Sequence, residues 1–168
     1  VGVSYVPENP LMYDYLRPVE LLRMACRLHG LAAQDIDTRC NAWLDRFGLA
    51  GIGKKRIGQL SKSMTQRAAL AMTLVTDPEV LVLDKPLSGL DPLGRREVVD
   101  ILAEYRSKGG TLWFSSHVLT DVDQLADRFA FIHRGRIKVV GRPESFLSAA
   151  ESGYEIVVRG ESLPGFDM

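Results

Sequence analysis

Apolar residues in the first half of the chain recur at the spacing of amphipathic helices. Pro18 suits the first turn of a helix, which we expect to continue to Leu28. A second helix is predicted from one apolar stripe, made of Ile36, Cys40, Trp43, Leu44 and Phe47. Ser61 is a helix-capping residue type, so a third helix should begin there and end at about Thr76. Residues 18–76 are therefore predicted to be mainly helical.

The second half of the chain has a different pattern, in which short apolar runs alternate with helical stripes. Val80–Leu83 is a continuous apolar run, typical of a strand buried on both faces of a parallel sheet. Strands are predicted at residues 1–6, 80–83, 111–115, 129–133, 136–140 and 154–158, and helices after Asp91, after Val118 and over 143–150. The strands at 129–133 and 136–140 form a predicted hairpin. This alternation predicts an α/β fold with a mainly parallel sheet, into which a helical subdomain is inserted.

The composition fits this fold and excludes several other classes of protein. The chain has 168 residues, 46% hydrophobic and 25% charged, as in an ordinary globular domain rather than a disordered or collagen-like chain. Its 21 basic and 21 acidic residues give zero net charge, which argues against nonspecific binding to nucleic acid. Cys26 and Cys40 are predicted to be buried free thiols of a reducing compartment. Since no apolar run is long enough to span a membrane, we expect a soluble protein.

Polar residues follow two of the predicted strands, at the edge where open parallel sheets bind their ligands. Asp84 comes directly after Val80–Leu83, and Ser115-Ser116-His117 closes the strand that begins at Thr111. A carboxylate at the tip of a buried strand is costly unless it is paired or bound to a cation. Taken alone, Asp84 is consistent both with a strand that ends in solvent and with a magnesium-positioning carboxylate of the Walker B type.

Five segments in a fixed order together resemble the nucleotide-binding domain of ABC transporters. They are the Q-loop strand Val3–Glu8, the signature segment Leu60–Met64, the Walker B strand Val80–Asp84, the D-loop Ser88–Asp91 and the switch histidine His117. The resemblance covers residues 1 to about 141, and Tyr-Asp-Tyr-Leu at 13–16 looks most like the ATPase subunits of the ABC-2 exporter branch. It implies a RecA-like sheet of the P-loop-NTPase type with an inserted α-helical subdomain.

The resemblance implies ATP and Mg2+ as cofactors and a role for each matched residue. Nucleotide contacts are implied for Glu8, Ser61, Lys62, Ser63, Met64 and Asp91, a magnesium ligand for Asp84, and a γ-phosphate or water contact for His117. A helix start suits an anion, and residues 46–76 hold six basic and no acidic residues. The implied partners are a second ATPase subunit and transmembrane permease subunits, with no nucleic acid. The implied location is cytoplasmic and peripheral, at the inner face of the cell membrane.

The residue after Asp84 departs from the family pattern. The family has a glutamate there that polarises the attacking water, whereas this chain has Lys85, which cannot accept a proton while it is charged. Loss of a general base typically lowers a rate by about 10²–10⁴. Lys85 is therefore predicted to disable hydrolysis, whatever supplies the P-loop.

The signature segment and the Q-loop depart from the pattern as well. Lys62, Ser63 and Met64 replace the two glycines and the glutamine of the usual signature, and Glu8 stands at the position of the Q-loop glutamine. Glycine lets a phosphate approach the backbone closely, so the side chain of Ser63 is expected to crowd that approach.

No segment of the 168 residues matches the phosphate-binding P-loop, GxxxxGK[ST], in full. Gly48–Lys54 matches as far as the lysine, but Lys55 replaces the serine or threonine and a predicted helix precedes the segment. Because motif matches depend on structural context, we interpret it as a glycine-rich connecting loop. The chain is expected to begin inside the domain, after the P-loop, whose strand would lie between those at 111–115 and 129–133.

The sequence divides into four predicted segments. They are the Q-loop strand and Q-loop (1–17), the helical subdomain with the signature (18–76), the Walker B, D-loop and switch-histidine part of the ATPase core (77–141) and a C-terminal extension (142–168). In the main functional hypothesis, the chain is part of an ATP-binding subunit of an ABC exporter. This chain by itself is then deficient in hydrolysis. Two alternatives stay open: a degenerate partner that supplies its signature face to an intact ATPase subunit, and an inactive truncated product.

Overall fold

The computed structural model describes residues 2–52 and 55–143, and the chain divides between His117 and Val118 into two compact units. The predicted strand at 154–158 lies outside the described residues, as does the predicted helix at 143–150 apart from Pro143. The division of the sequence into four functional segments stays a prediction.

The first unit contains a parallel sheet of three strands in the order β1-β2-β3. They are β1 (Val3–Val6), β2 (Val80–Leu83) and β3 (Thr111–Phe114). The register places Val6, Leu83 and Phe114 side by side at the carboxyl end of the sheet. The predicted α/β architecture with a parallel sheet is thereby confirmed, with β2 in the centre.

The two faces of this sheet are covered unequally. On one face Leu81 and Leu83 are buried, whereas on the other Tyr5 is 60% and Trp113 74% exposed. Side chains alternate between the two faces of a strand, so Val82 shares the second face and is only half-buried. The prediction that β2 is buried on both faces is therefore correct for one face only.

Three helices of the first unit pack on one another. They are α1 (Pro18–Leu28), α2 (Ala33–Arg46) and α3 (Lys62–Leu74). Cys26 of α1 and Cys40 of α2 are fully buried free thiols, as predicted, with their Sγ atoms 3.9 Å apart. Burial, together with the neighbouring thiol, raises the pKa of Cys40 to about 12, so this side chain stays protonated at neutral pH.

A fourth helix, α4 (Pro92–Ser107), begins after Asp91 as predicted. Its predicted apolar stripe is buried and consists of Val98, Ile101, Leu102 and Tyr105. The Tyr105 hydroxyl donates a hydrogen bond of 2.9 Å to the carbonyl of Pro78, which ties the end of α4 to the loop before β2. A side chain at Gly110 would collide with the Tyr105 ring, so glycine is required for this close approach.

The second unit contains a short helix followed by a hairpin. Helix α5 (Leu119–Leu125) precedes the antiparallel strands β4 (Phe129–His133) and β5 (Arg136–Gly141). Arg134 and Gly135 have φ angles of 50° and 72°, as two-residue hairpin turns require. The predicted hairpin is confirmed. In the described part of the chain, no helix combines the length and the apolar character needed to cross a membrane.

Candidate functional site at the carboxyl edge of the sheet

The residues that follow β2 and β3 are held at one edge of the sheet. Backbone hydrogen bonds continue one step beyond the strands: the N–H of Asp84 donates to the carbonyl of Val6 at 2.9 Å, and the N–H of Ser115 to that of Leu83 at 3.0 Å. Asp84 and Ser115 therefore take their positions from the same parallel register.

The hydroxyl of Ser115 connects two of the predicted site residues. Its Oγ donates to Asp84 Oδ1 at 2.5 Å and accepts a hydrogen bond from the backbone N–H of Lys85 at 2.9 Å. The sequence pattern gave Ser115 no role beyond ending a strand. The signal that could have identified it is register, because Ser115 follows Phe114 as Asp84 follows Leu83 in the paired strand.

Lys85 and Glu8 form an ion pair beside Asp84. Lys85 Nζ lies 2.9 Å from Glu8 Oε2, and both side chains are partly exposed. The hydrogen bond to Glu8, reinforced by the charges of Glu8 and Asp84, raises the pKa of Lys85 above its ordinary value. Lys85 therefore stays charged at neutral pH, as an ammonium between two strand ends.

The carboxylates of Glu8 and Asp84 at this edge do not fit as ligands of one shared divalent cation. Magnesium is usually held by one or two carboxylates together with phosphate oxygens and water. Here Glu8 is paired with the ammonium of Lys85, and Asp84 accepts the hydroxyl of Ser115. In addition, no group of three or more His, Cys, Asp or Glu side chains within residues 2–52 and 55–143 could hold a metal ion.

The signature segment opens α3. Ser61 is the N-cap, and its Oγ accepts a hydrogen bond from the N–H of Met64 at 3.3 Å, which confirms the predicted cap. Lys62 and Ser63 are the first residues of the helix, where backbone N–H groups lack partners within the helix and can bind an anion. The carbon chain of Lys62 passes 3.5 Å from the place that a Cβ on Gly89 would take, so the signature segment and the D-loop form one surface.

The buried side of α3 is fastened to the loop between β2 and α4. Gln66 is 2% exposed, and its Nε2 donates to the carbonyl of Pro86 at 3.3 Å. Arg67 Nη1 lies 2.9 Å from Glu97 Oε2, and Nη2 lies 3.7 Å from Asp91 Oδ1. Asp91 also caps α4 through a hydrogen bond from the N–H of Gly94 at 3.4 Å. These contacts fix the D-loop against the helix that carries the signature segment.

The basic stretch around the signature is partly neutralised by α4. Arg46 forms an ion pair with Glu104, and Arg67 forms one with Glu97. Both residues belong to the six basic residues between positions 46 and 76. Lys62 remains exposed at the start of α3, where it can attract a phosphate.

The P-loop-like segment lies in the connection between α2 and α3. Gly48 follows α2 with a φ of 66°, and Ala50–Ile52 forms a single 3-10 turn. Gly53 and Lys54, which complete the match, lie outside the described residues. The described part thus follows a helix, as expected of a connecting loop.

His117 is not joined to the ion pair. It is exposed on the bend after β3, and among the described residues no hydrogen bond links it to Asp84, Lys85 or Glu8. The structure therefore connects Glu8, Asp84 and Lys85 through side-chain or backbone contacts, whereas no hydrogen bond of the described residues connects His117 to them.

Comparisons with known proteins identify the class of this fold. A solved structure of an ATP-binding subunit of an ABC transporter matches 97% of this chain and 65% of its own length, with a TM-score of 0.79 and 28% identity. The predicted RecA-like α/β fold is therefore confirmed. A family model described as ABC transporter matches residues 1–88, just over half of the chain.

Relatives agree with this assignment. The chain is 42% identical over 160 residues to an ABC transporter ATP-binding protein of Synechocystis sp., covering 94% of this chain and 45% of the relative. It is 36% identical over 162 residues to the fluoroquinolones export ATP-binding protein of Mycobacterium tuberculosis, covering 96% and 52%. The chain belongs to the ABC transporter family of ATP-binding proteins, as the sequence motifs predicted. It spans about half the length of these relatives.

Proposed function

We propose that this chain is part of the ATP-binding subunit of an ABC exporter. The subunit works with a second ATPase subunit and with transmembrane permease subunits at the inner face of the cell membrane. Family membership supports ATP as the ligand, and the export activity named for the mycobacterial relative supports export. The substrate is selected by the membrane subunits and not by this chain.

In this proposal, the start of α3 binds the terminal phosphate of ATP. The free N–H groups of its first turn and the positive end of the helix dipole favour an anion, and Lys62 adds a positive charge beside them. Ser63 has an ordinary helical backbone rather than a positive φ, so the conformation there does not require glycine. Crowding of a bound phosphate by the Ser63 side chain stays a prediction.

The chain as it stands does not hydrolyse ATP in this proposal, and the ion pair of Lys85 carries that conclusion. The ammonium occupies the position after Asp84, at which the family has a glutamate that activates water. The salt bridge to Glu8 keeps Lys85 charged, so it has no lone pair with which to accept a proton. The expected loss of a general base is about 10²–10⁴ in rate.

ATP turnover by the purified protein tests this function. We expect no turnover above background in the wild type. Where the assembled protein provides a P-loop, Lys85→Glu should raise turnover by about 10²–10⁴, whereas Lys85→Gln, which removes the charge without adding a carboxylate, should not. Wild-type turnover that Lys85→Glu leaves unchanged would contradict the proposal.

A second candidate function is a partner that completes the ATP site of an intact ATPase subunit. The continuous surface of signature segment and D-loop supports it, because Gln66 and Arg67 fix this face independently of Lys85. The test is co-purification with an intact ATPase subunit of the same family, with and without ATP. Failure to associate in both states would exclude this role.

A further inference from the structure

The ion pair between Lys85 and Glu8 is a product of strand register. Val6 of β1 pairs with Leu83 of β2. Glu8 lies two positions after Val6, and Lys85 lies two positions after Leu83. Parallel strands lie about 4.8 Å apart, so residues at equal offsets beyond a paired position come close together. Their side chains meet at 2.9 Å, between Nζ and Oε2.

The backbone of Lys85 is fixed at both of its polar groups. Its N–H donates to Ser115 Oγ at 2.9 Å, and its carbonyl accepts from the N–H of Ser88 at 3.0 Å. Its φ of 43° lies in the left-handed region, which a residue with a Cβ adopts only where its surroundings hold it. The backbone that carries Lys85 is therefore fixed, and the ion pair with Glu8 holds its ammonium at this edge.

The charges at this edge form a compensated set. The carboxylates of Glu8 and Asp84 both act electrostatically on Lys85, and one or two carboxylates are a usual part of a magnesium site. Lys85 supplies one positive charge to this pair within the same chain. A glutamate at position 85 would instead add a third negative charge, and the edge would then attract a divalent cation.

We propose that the ammonium of Lys85 takes the place of the divalent cation at this edge, so that polyphosphate binding by this site does not depend on Mg2+. The inference rests on the proposed function, in which the polyphosphate is that of ATP. An ammonium is a compact point charge that suits phosphate oxygens, so Lys85 can contact a phosphate while it remains paired with Glu8.

The first measurement is binding of Mn2+, as a spectroscopic substitute for Mg2+, to the nucleotide-free protein by electron paramagnetic resonance. We expect Lys85→Glu to bind Mn2+ about tenfold or more tightly than the wild type, the range by which partners of metal ligands alter metal affinity. Lys85→Gln should show a smaller gain, because it only frees the two carboxylates. Lys55→Glu is the matched control, since it makes the same charge change at an exposed lysine outside the pair.

The double variant Glu8→Gln/Lys85→Gln tests whether the gain in Mn2+ affinity depends on the Glu8 carboxylate. It removes the ammonium and one carboxylate together, so it should lose the gain in Mn2+ affinity that Lys85→Gln shows. Equal Mn2+ affinity of the wild type, Lys85→Glu and Lys85→Gln would overturn the inference, as would an equal gain from Lys55→Glu. Circular dichroism checks that each variant is folded. If Lys85→Glu does not fold, the Mn2+ affinity of Lys85→Gln tests the inference.

The second measurement is ATP affinity in Mg2+ and in EDTA. The wild type should bind ATP equally well in both, whereas Lys85→Glu should bind about tenfold or more weakly in EDTA. A wild type that loses affinity in EDTA as strongly as Lys85→Glu would overturn the inference and leave the proposed function intact. A protein that binds no ATP in either medium would contradict the proposed function, and the Mn2+ titration still decides the inference.

Discussion

The loop at residues 85–91 is anchored by two sets of contacts of different kinds. In the first set, Lys85 is held by polar contacts near the surface, to Glu8 and to a serine hydroxyl. In the second set, Gln66 and Arg67 reach Pro86 and Asp91 of the loop from the buried side of α3. The same short segment thus connects to the sheet edge through exposed charges and to the signature helix through buried polar groups.

This difference indicates that the contacts of Lys85, which are proposed to affect ATP chemistry, are not the contacts that mainly stabilise the fold. Ion pairs at the surface contribute little to folding because water screens them and long side chains lose entropy on pairing. Buried polar groups cost much more when a partner is removed. The family departure at Lys85 belongs to the exposed set of contacts, where we expect a change of charge to leave the fold intact. The buried set of contacts holds the loop against the signature helix, and there we expect a change to be costly.

Replacing Arg67 with methionine should have the largest effect on stability. The side chain is only 14% exposed, and the change removes its ion pair with Glu97 and its hydrogen bond of 3.1 Å to the carbonyl of Phe47. A hydrogen bond of a charged group contributes about 1.5–3 kcal/mol. Because Glu97 is 44% exposed, its ion pair adds little, and we expect a total loss of about 2–3 kcal/mol in the free energy of unfolding. Urea denaturation measures it, with Lys62→Met as the exposed control on the same helix. An equal loss in both variants would show that burial is not the cause.

Replacing Gln66 with leucine should have the next largest effect. The change leaves the carbonyl of Pro86 without its hydrogen bond from Nε2, in a buried position. An unsatisfied buried acceptor costs about 1–3 kcal/mol, and the added apolar surface offsets part of that. We therefore expect a loss of about 1–2 kcal/mol in urea denaturation. The same substitution at exposed Gln34 of α2 is the control, and a comparable loss there would refute the assignment.

Replacing Ser115 with alanine should have a smaller effect, because the hydroxyl lies near water. The change removes the contacts to Asp84 Oδ1 and to the N–H of Lys85. We expect a loss of about 0.5–1 kcal/mol in the free energy of unfolding, the lower part of the range for a net hydrogen bond. Ser63→Ala at the start of α3 should be neutral or slightly stabilising, since alanine is the best helix former. A larger loss from Ser63→Ala than from Ser115→Ala would reverse the comparison.

Replacing Lys85 with glutamine should have the smallest effect on stability. The ion pair with Glu8 is partly exposed, and pairs of this kind contribute little to folding. We expect the urea midpoint to stay within error of the wild type, while Mn2+ affinity changes as described above. A marked drop in the midpoint would show that the exposed contacts of Lys85 stabilise the fold after all.

Much of the secondary structure could be predicted because its signals are local. The bounds of α1 and the caps of α3 and α4 follow from Pro18, Ser61 and Asp91, each of which acts within a few residues of itself. The hairpin follows from Arg134-Gly135. Burial of β2 was predicted only in part, because a continuous apolar run does not reveal how well each face of the sheet is covered.

Less of the candidate site could be predicted. The sequence correctly predicted that Asp84 directly follows a strand. That Lys85 does not act as a general base stays a prediction. The sequence did not pair Lys85 with Glu8 or give Ser115 a role between the two strand ends. These contacts depend on neighbouring strands, and no local pattern specifies which residues stand opposite one another.

The sequence by itself determined the helices, the hairpin and the family, because caps, periodicity and motifs each depend on a short stretch of the sequence. The tertiary structure alone decided that the charge of Lys85 is paired. Glu8 and Lys85 are 77 residues apart in the sequence, and they meet only because β1 and β2 pair in parallel with Val6 opposite Leu83. A shift of that register would separate the two side chains without changing a single local signal, since register is set by packing across the whole sheet.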